Sequence, residues 1–508
     1  MRKRCLLSTV ALLLVLLLGA TTTAFAANPA LPMWEHIADG EPHVFGDRVY
    51  VYGSHDTNSA EFQYCGQDYI VWSAPVDDLT DWSYSVYPSI DCGEGGGGAA
   101  SDACQGIDGR YYTYVVIDYP AEDISFSLTV WVCDTPDGEY EFLSTLKNED
   151  GTDAGSLFDP AVLVDDGTVY LYGGGSECWI LDDDMYTVLE KHQLEGDGIK
   201  NFAEGSSIRK VTDEAGQTMY CLVYDSAIKN NPSLVPQTVN GAKSGYRGRL
   251  EYCYSTSPLG PWTYGGVVVD NGGERVSTGE DSGYFIAPEK MLGGVKSTDY
   301  GDYYYGTRRT YYDGNNHGGI EQINGQWYVF YHRQTNADEY SRQLCIEPIE
   351  VRIEDGALII EEAEMTSQGV EANGMDPLVE REAGITCYLT NGAYIYTQGG
   401  AEADHPIRNI RNGAIVGYKY FNFESGEYDV TVDVKSLGVG GTIAVVLDDP
   451  ANAPVATIEI GADASEAFDG LTANIGAVEG KHSVFFIFYA QSEQPICEFN
   501  ALSFAKAA

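Results

Sequence analysis

Hydrophobic and polar residues alternate along most of this chain, and the alternation comes in short bursts. Hardly any stretch carries helical periodicity. One burst recurs five times: a short strand, a turn of Gly, Asp or Asn, then an aromatic-rich strand. The copies read DGEPHVFGDRVYVYG from Asp39, DACQGIDGRYYTYV from Asp102, DPAVLVDDGTVYLYG from Asp159, EGSSIRKVTDEAGQTMYCLVY from Glu204 and HGGIEQINGQWYVFY from His317. Each opens on an ionisable residue and reaches a matching tyrosine: Tyr50, Tyr112, Tyr170, Tyr220 and Tyr328. A second strand pair echoes between copies, as in WVCDTPDGEYEF from Trp131 and EYCYSTSPLGPWTY from Glu251. Two hairpins make a four-stranded blade, and strand-only repeats of about 50 residues predict a β-propeller. Five units predict five blades. In a propeller the innermost strands crowd round one axis, so the five head residues are expected to meet in one pit.

The pattern divides the chain. The propeller is expected over residues 28–355 and a polar linker over 356–378. From Val379 to the end, alternating strands with turns every 8–12 residues indicate a β-sandwich of jelly-roll type. The fold class is therefore all-β. The long interval between the fourth and fifth heads holds a Gly- and Tyr-rich stretch, Gly272 to Asn316, expected to wall the pit.

The N-terminus stands apart. Arg2, Lys3 and Arg4 precede the apolar run Leu12 to Leu18, and Ala24-Phe25-Ala26 forms a cleavage site. Residues 1–26 read as a secretory signal peptide, so the mature protein is expected outside the cell. No other segment could span a bilayer, so no membrane insertion is expected.

Charge narrows the partners. With 76 Asp and Glu against 29 Lys and Arg, the net charge is −47. Nothing basic offsets it, which excludes nucleic acid and anionic membranes and suits a neutral substrate. The 37 Tyr and 7 Trp suit β-structure and sugar stacking alike. Of the cysteines, Cys133, Cys221 and Cys253 sit in apolar strands and read as small buried hydrophobes. Cys65, Cys92 and Cys104 lie in Gly-rich loops and are bridge candidates, and Cys387 with Cys497 could pair or simply be buried. No spacing suggests zinc.

Converging carboxylates without a nucleophile elbow or a zinc signature point to glycoside hydrolysis, in which one carboxyl is an acid and another an ionised base or nucleophile. Asp39, Asp159 and Glu204 are the candidates. Asp102, in a less apolar neighbourhood, is expected to bond backbone amides within its blade. Trp34 could stack on a sugar or be structural.

The segments ADGEPHVFGDRVYVYGSHD, FDPAVLVDDGTVYLYGG, NFAEGSSIRKV and NNHGGIEQINGQWYVFYHR resemble glycoside hydrolase family 43, over roughly Asn28 to Asp355. The resemblance implies a five-bladed propeller and an inverting mechanism on xylose- or arabinose-containing glycans. It implies Asp39 as general base, Glu204 as general acid and Asp159 as the carboxylate that tunes and orients the acid. It implies Arg342 as a residue that holds the sugar, and His317 as an axial histidine near calcium or water. Gly40 and Gly205-Ser206 depart from the commoner family residues, which leaves substrate choice open. The chemistry needs no cofactor. A hydrated calcium ion beneath the pit is expected as a structural aid, with His317 giving one ligand at most. IVGYKYFNFESGEYDVTVDVKS and GKHSVFFIFYA resemble a family 6 carbohydrate-binding module. Tyr394 or Tyr420 would be its sugar platform, and no part in catalysis is expected of it. The leading expectation is an exported inverting glycosidase acting on plant polysaccharide. A galactan-active relative, a non-catalytic sugar-binding propeller and a surface adhesin are the rivals.

Overall fold

A computed structural model describes residues 27–57, 66–174, 177–194, 196, 198–200, 202–228, 246–270, 316–336 and 341–507. The signal peptide, Cys65 and nearly all of the stretch expected to wall the pit lie outside these residues.

Each repeat becomes one antiparallel sheet, because its turn residues fold the two alternating runs face to face. The five sheets are the five blades. Their innermost strands are Ile37–Phe45, Gly97–Gln105, Ala161–Asp165, Phe202–Thr212 and Ile320–Ile323. Blades two and four are four-stranded; blades one and five have three strands each in this hydrogen-bonded pattern. Blade three gains a short parallel edge strand, Lys147–Asn148, against Thr187–Gln193.

Blade five borrows its missing edge from the start of the described chain. Ala30 N donates to Leu344 O at 2.8 Å, and Ile346 N donates to the Asn28 side-chain oxygen at 2.8 Å. Asn28 Nδ2 donates back to Ile346 O and to Glu347 Oε1. These bonds lock the ring, since the first blade then cannot drift from the last.

After a hairpin, Val351–Glu354 with Ala357–Ile360, the chain enters the C-terminal β-structure. Two long strands, Ile415–Ser436 and Asp469–Tyr489, pair along most of their length and break register at Tyr418/Phe421 and Phe423/Gly426. One half carries Cys497–Lys506, the other Gly441–Leu447, so the pair turns a corner between two faces of a sandwich. The two domains share their packing. One apolar cluster runs from Leu250, Tyr252, Ile320 and Tyr331 of the propeller to Ile385, Ile395, Phe421 and Phe499 of the sandwich. Buried Arg333 bridges the join through Cys345 Sγ and Thr386 O.

No disulfide forms among the described residues. Cys92, Cys104, Cys387 and Cys497 are free and buried, as are Cys221 and Cys253, while Cys133 is partly exposed. The described bridge candidates, Cys92, Cys104, Cys387 and Cys497, are core residues, each placed by its own strand or loop among apolar neighbours. No helix among the described residues is long and apolar enough to cross a membrane.

Candidate active site

Four of the five head residues come to one end of the axis. Asp39 lies within the first innermost strand at a register shift between Ala38 and Glu41, and Glu204 lies between two shifts, Phe202/Glu204 and Glu204/Ser206. A bulge re-aims a side chain that would otherwise follow the pleat. Asp39 and Asp159 both hold left-handed backbones, with φ of 55° and 49°. Such backbones persist where the surrounding structure overdetermines them.

Asp39 is 3 % exposed and densely held. Arg342 Nη1 donates to both its oxygens, at 2.7 and 2.9 Å, and Ser54 Oγ donates to Oδ2 at 2.6 Å. Its amide donates to His332 Nδ1, and His317 Nδ1 stands 4.0 Å from Oδ1. The rest of the Arg342 guanidinium grips Asp56, through Nε and Nη2 at 2.8 Å each. Burial works against charge on Asp39, but Arg342, helped by His332, His317 and Ser54, outweighs it and holds the carboxyl at about 2. Asp39 is therefore ionised at any ordinary working pH.

Asp159 is the opposite case. Burial pushes it up to about 7; Glu204 and Asp39 add to the rise, against the pull of His317 and the Gly205 amide. That amide donates to Asp159 Oδ2 at 2.8 Å, which ties Asp159 to the residue next to Glu204. Gly205, with φ of +64°, packs on His317: a Cβ there would lie 3.0 Å from the imidazole ring. Gly40 is explained in the same way, since a Cβ would meet Leu344 Cδ1 at 2.6 Å.

Replacing Asp159 by Asn is expected to raise stability at pH 8 while lowering activity. Between the ordinary Asp value and about 7, the folded chain keeps a proton that the unfolded chain gives up. Stability therefore falls as pH rises through that window. At 1.36 kcal/mol per pKa unit, the cost above pH 7 is on the order of 4 kcal/mol at most. Asn removes it. Thermal melts of both proteins between pH 4 and 8 check this; an unchanged pH slope would refute it.

Asp102 does not join the pit, contrary to the repeat pattern. Blade two begins its innermost strand at Gly97, so Asp102 falls partway down it, beside His43 rather than Asp39. It is fully buried, with Oδ1 2.5 Å from His43 Nε2 and Oδ2 accepting from the Val162 amide of blade three. It accepts from the Ala103 amide of its own blade, as expected, and through His43 and Val162 it also clasps blades one and three.

Glu41, His43 and Asp102 form the one group of three potential metal ligands found among the described residues. Glu41 Oε2 is buried without a hydrogen-bond partner. Arg209 already reaches into this level, 2.7 Å from Glu41 Oε1 and 2.9 Å from Glu321 Oε2. Calcium takes 6–8 oxygens. Glu41 Oε2 alone is uncommitted in this set, and both Asp102 oxygens are taken. The donors do not build a calcium cage, and the fixed positive charge here is Arg209. His317 Nε2 faces Ser206 O at 3.4 Å, as a hydrogen-bonding residue would.

Sequence reading missed Asp56, Ser54 and His332, although all three lie in segments that carried the family resemblance. Trp34 is partly buried and lines a cavity beside the site. In the sandwich, the Tyr420 hydroxyl is tied to Glu364 and Lys481 Nζ lies 4.7 Å over its ring, so that face is covered. Tyr394 is partly buried in a short edge strand.

The chain is 35 % identical over 448 residues to a xylosidase/arabinosidase of Thermoclostridium stercorarium, covering 78 % of this chain and 82 % of that protein. The chain belongs to glycoside hydrolase family 43. An arabinoxylan arabinofuranohydrolase of Paenibacillus polymyxa is 23 % identical, over 99 % of this chain and 80 % of its own length. Residues 386–506 match the carbohydrate binding module (family 6). A crystal structure of a family 43 arabinoxylan arabinofuranohydrolase from Bacillus subtilis, in complex with cellotetraose, aligns over 94 % of this chain and 97 % of that one. Its identity is 21 % and its TM-score 0.44, an overlap that says nothing about substrate. This family 43 glycoside hydrolase is thus a five-bladed propeller carrying a family 6 module, and its chemistry needs no cofactor.

Proposed function

We propose that this enzyme is an exported, inverting glycosidase that releases arabinose or xylose residues from plant polysaccharide or its oligosaccharides. The observation that carries the reading is the splitting of two buried carboxyls in one pit. Asp39 is held ionised by Arg342, while Asp159, tied to the Glu204 bulge, favours its protonated form. The split marks Asp39, the ionised member, as the base; Glu204 as the acid draws on the family resemblance and on its bulge beside Asp159. Asp39 takes a proton from the attacking water, Glu204 protonates the departing oxygen, and Asp159 orients the bulge that carries Glu204 through the Gly205 amide. Arg342 keeps Asp39 charged and fixed. The pentose preference draws on the relatives named xylosidase/arabinosidase and arabinoxylan arabinofuranohydrolase. Export draws on the leader-like residues 1–26. The module supports polysaccharide as the natural target. A structural calcium ion at this level would have to be held almost wholly by waters, since Glu41 Oε2 is the one uncommitted carboxylate oxygen of Glu41, His43 and Asp102.

Proton NMR of the first minutes of reaction with arabinofuranosyl-substituted xylo-oligosaccharides tests the proposal. A free pentose should appear first in the inverted anomeric form, because the base acts on water across the sugar from the acid. A retained anomer would recast Asp39 as a nucleophile. Release of no pentose would overturn the substrate assignment.

A further inference from the structure

A cavity of about 530 Å³ lies beside the pit, between propeller and sandwich. Its inner end is one side chain from the base: Asp56 lines it, and Arg342 joins Asp56 to Asp39. His55 ends the second strand of blade one, pairing with Ile37 at the pit end of the innermost strand, and Asp56 follows it.

The lining has the chemistry of a sugar site. Trp34, Tyr84 and Tyr87 contribute rings, and Tyr84 and Tyr87 are 43 % and 58 % exposed. They are ordered nonetheless. Tyr84 packs edge-on against buried Trp72 with centroids 5.0 Å apart, and Tyr87 stands 6.2 Å from both Tyr84 and His55. Ring faces held in place but left open suit the C–H faces of a sugar.

The polar groups beneath are already satisfied among themselves. Glu35 accepts from the His36 amide, from Trp72 Nε1 at 3.1 Å and from His55 Nε2 at 3.0 Å, and His55 Nδ1 meets Asp68 at 2.7 Å. Burial opposes charge on His55, but Asp68 and Glu35 hold it protonated, up to about 10. The floor is therefore hydrogen-bonded within itself and carries one negative charge in excess, Glu35 and Asp68 against His55, which disfavours an anion. Neutral ligands with hydroxyls suit it better than anions.

The far wall is not propeller at all. Thr397, Gln398, Gly399 and Gly400 come from the module. Thr397 Oγ1 lies 2.9 Å from His36 Nε2, and two residues earlier Ile395 N donates to Thr335 O. The shared apolar core fixes that loop over blade one, so the cavity exists only with both domains in place.

We propose that this cavity is a subsite for a neutral sugar residue of the glycan, next to the residue that is cleaved, and that the module's loop from Thr397 to Gly400 completes it. This rests on the glycosidase reading above. The module then shapes the substrate site as well as holding polymer.

Tyr87→Ala and Gln398→Ala test it; both side chains are exposed, so the fold should survive. The readout is the ratio of kcat/KM on arabinofuranosyl-substituted xylotetraose to that on nitrophenyl arabinofuranoside. Loss of one stacking face should lower the ratio about threefold to tenfold for Tyr87→Ala, through KM. Gln398→Ala should move it in the same direction. A ratio unchanged in both variants, or equal loss on the two substrates, overturns the subsite. The same tetraose is also titrated calorimetrically into Glu204→Gln protein with and without Tyr87→Ala. Weaker binding with the tyrosine removed supports the subsite even if the wild type releases no pentose, an outcome that would sink only the activity reading. Equal binding overturns the subsite whatever the activity.

Discussion

Glu204→Gln is expected to cut turnover of a natural glycan by about 10²–10⁴-fold, the usual worth of a positioned general acid. The change keeps size and hydrogen-bonding shape, so the bulge at Glu204 and the bond from the Gly205 amide to Asp159 should persist. A nitrophenyl glycoside has a leaving group that needs little protonation and should lose far less. Asp39→Asn removes the base instead, and its loss should be the same for both leaving groups. The contrast between the variants is the measurement. If Glu204→Gln lost equally on both substrates, Glu204 would not be the proton donor.

Arg342→Met is expected to be the most damaging change outside the acid and base. The guanidinium is 2 % exposed and stands between two buried carboxylates, Asp39 and Asp56. Taking away one partner of a buried ion pair costs about 3–5 kcal/mol, because the charge left behind has no compensation. The sign with pH follows from Asp39, whose carboxyl is held at about 2. A depressed carboxyl stabilises the fold above its unfolded value, and that contribution is lost only as pH falls towards 2. Without Arg342 burial dominates, so Asp39 should titrate at much higher pH. The acid limb of kcat/KM should then move up into the range pH 4–7, and the variant should melt earlier at pH 7. Arg342→Lys, which keeps charge but not the two-sided grip, should fall between. An acid limb that stayed in place would show that Arg342 does not set the charge of the base.

The propeller was legible because each blade writes its hairpin locally, as alternation broken by Gly, Asp or Asn. Asp39, Asp159, Glu204 and His317 were legible as a set because a head residue inherits its position from its blade. Asp102 shows the limit. The run GGAAS before it lacks alternation, so nothing local reveals that the strand starts at Gly97. The partners of Asp39 were harder still. Ser54 lies on the neighbouring strand, Asp56 just past its end, and His332 and Arg342 on blade five, and no periodicity links them. The free cysteines and the covered face of Tyr420 turn on packing between distant segments, which spacing does not record. The cavity is the extreme case, since its walls lie more than 300 residues apart in the chain.

The bonds of Asn28 have a consequence for the order of assembly. It is 318 residues from Ile346, the strand residue whose backbone it completes. A ring fastened by its two ends cannot be fastened while one end is still being made. During synthesis the segment around Asn28 must wait, unpaired, for nearly the whole propeller. Long-range closure of this kind makes a slow folder, and it leaves the open edge of blade five exposed to stray strands in the interval. For a chain that is threaded through a membrane with its first residues leading, the waiting would take place on the far side, after the last blade has followed.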